Sequence, residues 1–283
     1  MKRKIILFSI LILTLLILNT LLCSCSKKSA KPTPNESEEE SEKAPDTLKE
    51  LEASIQDILK ELDAKKEPEK KEAEIKVETK TEIKQEESKD KSSNENKQET
   101  TQEVKKESEE DKKWESVSKK VEEIHKQWDS LQPEVVKAAT PKKTIDDFSN
   151  TLNTLTIYAE SKDMQNTLSF TNELYRLIPD FLEQYKDKIP PDVKRMTYFI
   201  RDAKYNGKIN QWEKSASSIN NLKSHWAIVK AQAKKEQEKQ ISQVDFSIIE
   251  LEKVVILNNM ILTDLKSNIT LENIKKLEES FQK

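Results

Sequence analysis

A chain of 283 residues with a single glycine, Gly207, has few folds open to it. Hairpin turns and phosphate-binding loops draw on glycine because only a residue without Cβ takes positive φ freely. P-loop and dinucleotide-binding fingerprints each need more than one glycine and are excluded outright. Lys, Glu, Leu, Ile and Gln abound instead, and the reading is an all-α protein.

Apolar residues recur with helical period from residue 112 to the end. Trp114, Val117, Val121, Ile124, Trp128 and Leu131 form a heptad seam of coiled-coil type. Pro133 is expected to bend or interrupt this helix, and Thr140-Pro141 to close it. Thr144 is placed as the cap of a second helix, with Asp147 in the capping-box position and Ile145, Phe148, Leu152 and Leu155 on its stripe. A third helix, from near Ser161 or Lys162, carries Met164 to Tyr185 with Pro179 inside it. Ile189-Pro190-Pro191-Asp192 stops one helix and starts the next, which runs through Val193, Met196 and Ile200 to a cap or weak joint at Asn206-Gly207. A stripe through Ile209, Trp212, Ile219, Leu222, Trp226 and Val229 follows. Ile241 to Ile269 is the most apolar stretch of the domain. It is read as one helix in the middle of the bundle, with Asn258 as a buried residue fixing register. Thr270 then caps a short last helix. The architecture expected for residues 112–283 is an up-and-down bundle of about six helices, four of them long.

Residues 25–111 read as a Lys/Glu-rich disordered tether. Apolar residues between Ala64 and Asp111 are too sparse to repay the entropy of ordering, and the alternation from Ile75 to Ile83 has no partner strand. As a flexible coil its roughly 85 residues reach about 50 Å. Within it, 47–63 forms a possible short helix with the stripe Leu48, Leu51, Ile55, Ile58, Leu59 and Leu62. A helix this short is marginal alone, so it is expected to be transient, with nothing to pack on.

The N-terminus addresses the chain. Lys2, Arg3 and Lys4 precede an apolar run of 18 residues, Ile5 to Leu22, broken only by Ser9, Thr14, Asn19 and Thr20. Basic and then apolar is the layout of a secretory signal, residues 1–24. It ends in Leu22-Cys23-Ser24-Cys25, the arrangement of a bacterial lipobox, with a small residue just before Cys25. Cys25 is the expected lipidation site and mature N-terminus, carrying diacylglycerol and palmitate. Cys23 would put Leu22 where the small residue belongs. An uncleaved anchor is the alternative, since such a run just crosses a hydrocarbon core of about 30 Å, but it gives no reason for Ser-Cys. Both place residues 26–283 outside the cytoplasmic membrane. Taking the three basic residues of the signal from 49 leaves 46 against 52 acidic ones, a net charge of −6. No basic surplus exists to recruit nucleic acid.

The lipobox, the charged linker and the segment Tyr175-Arg176-Leu177-Ile178-Pro179-Asp180-Phe181 running to Ile189-Pro190-Pro191 carry a resemblance. The chain resembles uncharacterised bacterial lipoproteins with a tethered helical-bundle ectodomain. That resemblance implies no known reaction and carries over no catalytic residue.

Three features bear on chemistry. His125 and His225 each sit beside a tryptophan and fall just off their seams, with no second ligand at helical spacing beyond Asp129. No metal or cofactor site is expected from them. Carboxylates are too many for one pair to stand out, and one glycine allows no nucleophile elbow. Trp114-Glu115…Trp128 echoes Trp212-Glu213…Trp226, with Val121 matching Ile219 and Ile124 matching Leu222. Duplication and paired binding positions are open, and core packing is the simpler cause. The expected function is a membrane-anchored extracytoplasmic lipoprotein acting as a non-enzymatic binding or scaffold module. It is held by its lipid on the outer face of the bacterial cytoplasmic membrane and meets a protein partner at the cell surface. Two alternatives stay open: a sensor or regulator ectodomain working through a membrane partner, and a bundle that binds haem, metal or glycan.

Overall fold

The computed structural model describes residues 43–64 and 108–282, all within one compact unit, Ser41–Lys283. The signal segment 1–24, the lipidation site Cys25, and the linker with its Ile75–Ile83 alternation lie outside the described residues. Eight helices are present among those described: α1 Asp46–Asp63, α2 Glu109–Lys137, α3 Lys142–Glu160, α4 Met164–Leu182, α5 Pro191–Lys208, α6 Trp212–Gln232, α7 Glu238–Ile256 and α8 Met260–Gln282. A single 3-10 turn, Lys235–Gln237, precedes α7. No strand occurs among the described residues, and the fold is all-α. From α2 onward each helix packs on the next, as short connections between antiparallel neighbours require.

Three expectations need correction. The segment 47–63 is not a lone transient helix. As α1 it buries all six residues of its stripe against α2 and α4, so the folded region does not begin at residue 112. Its partners are distant in sequence, which is why local reasoning found none. The stretch Ile241–Ile269 is not one central helix either. It breaks at Asn258, an exposed residue with φ 52° rather than a buried register pin. Asn259 then starts α8 by accepting Leu262 N at 3.0 Å on Oδ1. The apolar steps stay in phase across this break, so periodicity cannot see it. Thr270 is no cap: it is buried inside α8, and its hydroxyl donates to Lys266 O at 2.8 Å.

Smaller boundaries move as well. α3 starts at Lys142 behind Pro141, with no side-chain cap from Thr144. α4 starts at Met164 behind the cap Asp163, slightly past the start expected near Ser161 or Lys162. Pro133 and Pro179 sit inside α2 and α4 without ending them. Gly207 lies within α5 with negative φ, and the chain turns at Asn210 instead, φ 58°. What Gly207 supplies is room: a Cβ there would stand 3.1 Å from Cζ3 of Trp212.

The eight helices are one four-helix unit built twice. In the first, α1 touches α2 and α4, α2 touches α3, and α3 touches α4. In the second, α5 touches α6 and α8, α6 touches α7, and α7 touches α8. Buried side chains follow the same order. In α1, Leu48, Leu51, Ile55, Ile58 and Leu59 repeat in α5 as Val193, Met196, Ile200, Ala203 and Lys204, and both helices open behind a proline, Pro45 and Pro190. Val121, Ile124, Trp128 and Leu131 of α2 return as Ile219, Leu222, Trp226 and Val229 of α6. The α3–α4 hairpin returns as α7–α8 at a constant offset of 96 residues. Lys162 (φ 54°) matches Asn258 (φ 52°), the caps Asp163 and Asn259 match, and Thr167, Thr171, Ile178 and Phe181 match Thr263, Ser267, Ile274 and Leu277. Trp128 Nε1 donates to Ser149 Oγ at 3.0 Å, and Trp226 Nε1 donates to Asp245 Oδ1, the residue 96 beyond Ser149, at 2.6 Å. The tryptophan echo is therefore a structural duplication.

Each unit has its own core, and α5 serves both. Val193, Met196, Ile200 and Ala203 join the second core, while Tyr198 and Tyr205 join the first. Two lysines of α5 pin α1 and α8 from between. Lys194 Nζ donates to Glu52 Oε1 at 2.7 Å and Glu278 Oε1 at 3.0 Å. Lys204 pairs with Asp63 and, at 3.0 Å, Asp264. Both lysines are buried, where a cation persists only if paired. Burial opposes the charge of Lys194, but neighbouring Tyr175, Glu52 and Glu278 outweigh it and hold the ammonium above the usual lysine range.

Candidate interaction surface

The repeat shows which face is left without a covering helix among the described residues. In the first unit, α4 receives α5. Gln165 Nε2 donates to Tyr205 O at 3.4 Å, the Tyr198 hydroxyl donates to Glu173 Oε1 at 2.5 Å, and Arg195 Nη2 donates to Asp180 and Glu183 at 2.7 Å each. Moving these α4 positions by 96 residues gives Ile261, Ile269, Lys276 and Glu279 of α8. No ninth helix follows among the described residues. Ile261 is 82 % exposed, and Leu262, Leu265 and Ile269 are exposed beside it.

α7 extends the surface. Phe246 (70 % exposed) and Ile249 stand where α3 carries the exposed polar residues Asn150 and Asn153. The two helices are in register through Thr270 Oγ1 to Ser247 O at 3.3 Å and Lys266 Nζ to Glu250 Oε2 at 3.3 Å. Phe246 and Ile269 line one groove of about 320 Å³ between them, with Glu250 and Lys266. Side-chain hydrogen bonds from Lys253 and Lys266 hold the Glu250 carboxyl below its ordinary range. At the hairpin tip Ile256 and Leu257 are also exposed. An apolar patch of this extent is unusual on an isolated soluble protein.

The residues singled out in the sequence fall elsewhere. His125 Nε2 meets Thr156 Oγ1 at 2.9 Å, and His225 Nδ1 meets Asp192 Oδ1 at 2.7 Å while stacking on Phe199 at 5.3 Å. The structure does not bring the two histidines into one site. Among the described residues, no group of three or more His, Cys, Asp or Glu is placed to hold a metal ion. Trp114, Trp128 and Trp226 are buried and Trp212 is half-buried. Trp128 packs against Phe148 at 4.3 Å and Phe181 at 5.6 Å. An open recess of about 630 Å³, between the 3-10 turn and the end of α8, carries Lys188, Lys234 and Glu236 without a converging set of buried polar groups. No described helix is long and apolar enough to cross a membrane.

Sequence reasoning took Leu262, Leu265 and Ile269 for core. One signal was there to correct it. Ile249, Ile256, Leu257 and Ile261 make the stretch apolar on two sides, more than a single contact face of a hairpin uses. Set against known protein families, curated proteins and solved structures, the chain shows no significant match in any of the three comparisons.

Proposed function

We propose that the protein is a lipid-anchored, extracytoplasmic binding module without catalytic activity of its own. Cys25 carries the anchor at the outer face of the bacterial cytoplasmic membrane, and the α7–α8 surface meets a protein partner. The anchor rests on Ser24-Cys25 behind a basic and then apolar segment. The binding role rests on one observation: α8 exposes Ile261, Leu265 and Ile269 on the face that α4 uses to hold α5. A face used once for helix packing, and apolar where it is uncovered, suits a helical partner.

The test uses the full chain in the membranes of producing cells, with a photo-crosslinking side chain at Leu265 or, as control, at Asn153. A protein adduct from 265 and none from 153 supports the reading. No adduct from 265, or equal adducts from both, contradicts it. The anchor is tested separately: Cys25→Ala should abolish acyl labelling and cleavage, and labelling that instead follows Cys23 overturns the assignment.

A further inference from the structure

We infer that the occupant of the α8 surface is a second copy of this chain, packed tail to tail about a two-fold axis; this rests on the binding role just proposed. Three observations point to it. First, the face is built to take a helix lying antiparallel to α8, as α5 lies on α4. A two-fold axis across α8 presents the α8 of a second copy in that orientation, and such an interface is isologous.

Second, the two ends of the array differ. Repeat units commonly continue head to tail, the last face of one copy meeting the first face of the next. Here the first face is the outer side of α1, and it exposes Lys49, Glu50, Ala53, Asp57 and Lys60. That side is charged and has no apolar counterpart to Leu265 or Ile269. A head-to-tail contact would desolvate charges against hydrocarbon, which is costly. The apolar end is complementary to itself, not to the other end. Glu250, Lys253 and Lys266, both signs of charge on one rim, suit pairing with their own copies.

Third, the area suffices. The exposed parts of Phe246, Ile249 and the α8 residues, with the tip, amount to something on the order of 900 Å², close to the roughly 800 Å² per partner of a standard stable interface. The geometry yields a layer of four helices, α7 and α8 from each copy, with Leu265 and Ile269 near its centre.

The experiment has two readings. The full chain in mild detergent is examined by sedimentation velocity, beside Leu265→Glu and Ile269→Glu. Wild type should sediment at twice the chain mass, and both variants at once the chain mass with unchanged helical circular dichroism. The adduct formed from residue 265 in membranes should have twice the chain mass and contain this sequence alone. A wild-type monomer, or a dimer that survives both substitutions, overturns the second copy as occupant. So does an adduct to a different protein, or a monomer that floats with phosphatidylcholine vesicles through Leu265. An adduct to a different protein leaves the binding role standing, whereas no adduct at all removes both.

Discussion

Lys194 reaches Glu52 at 2.7 Å across 142 residues of sequence. The bond closes α1 onto α5, and through Glu278 the same ammonium holds α8. One buried cation thus ties the first helix of unit one, the first of unit two and the last of the described helices.

Lys194→Met tests that tie. Removing one partner of a buried ion pair leaves charges without compensation and costs about 3–5 kcal/mol. We expect that loss at pH 7 by denaturant unfolding. The pH dependence carries the sign. Because the folded-state pKa of Lys194 is raised, its contribution is fully present below the ordinary lysine value and fades only as pH rises through the higher folded one. Wild type should therefore show no loss from this group between pH 6 and about 9. The variant lacks this contribution, so its deficit should hold from pH 6 to about 9 and narrow only above the ordinary lysine value, as wild type loses the charge. A deficit that already narrows between pH 7 and about 9 would contradict a paired, persistently charged Lys194.

Trp128 and Trp226 should behave alike, and Trp212 differently. The first two are buried and hydrogen-bonded at matched positions. Truncation of either to Ala should cost about 3–5 kcal/mol through the cavity left. Ser149→Ala, which strands the Trp128 N–H, should cost about 1–3 kcal/mol. Trp212→Phe should barely alter the melting temperature but remove most of the iodide-quenchable fluorescence. Ready quenching at Trp128 or Trp226 would contradict this arrangement.

Turns supply a prediction of opposite sign. With one glycine in the chain, four helix connections place Ala139, Lys162, Asn210 and Asn258 in the left-handed region, φ 52–61°. A residue with Cβ pays about 1 kcal/mol there relative to glycine. Ala139→Gly should raise stability by up to about 1 kcal/mol. Lys162→Gly should gain less, since Lys162 Nζ pairs with Asp111 at 2.8 Å and that contact goes. Destabilisation by Ala139→Gly, measured in urea, would contradict the turn geometry.

Legibility in sequence followed how local each cause was. The seam from Trp114 to Leu131 and the helix start at Pro190-Pro191 depend on neighbours within a few turns, and the fold bears them out, although the helix before it stops at Leu182 rather than at Ile189. The break at Asn258 was hidden because Leu262, Leu265 and Ile269, exposed in the fold, continue the apolar steps of Val244, Ile248, Leu251 and Val255. The docking of α1 was hidden because Leu48 and Ile55 look the same whether a partner exists or not, and α2 and α4 come after a long linker. The surface on α8 was hidden for the converse reason. Composition names an apolar residue, and only its neighbours tell whether it is inside. The match between Lys162 and Asn258 was in the sequence, but two different side chains in the same backbone state leave no pattern to find.

The account stands on the chain being one four-helix unit built twice, since that alone identifies the α8 face as the uncovered one. The first helix of the first unit is its most exposed claim. Native-state hydrogen exchange of the full chain measures it directly. Amides of Leu51 to Leu59 should exchange as slowly as those of Trp128 and Leu174, by the same global unfolding. Exchange at Leu51 to Leu59 within seconds, while α2 and α4 stay protected, would show α1 undocked and contradict the repeat.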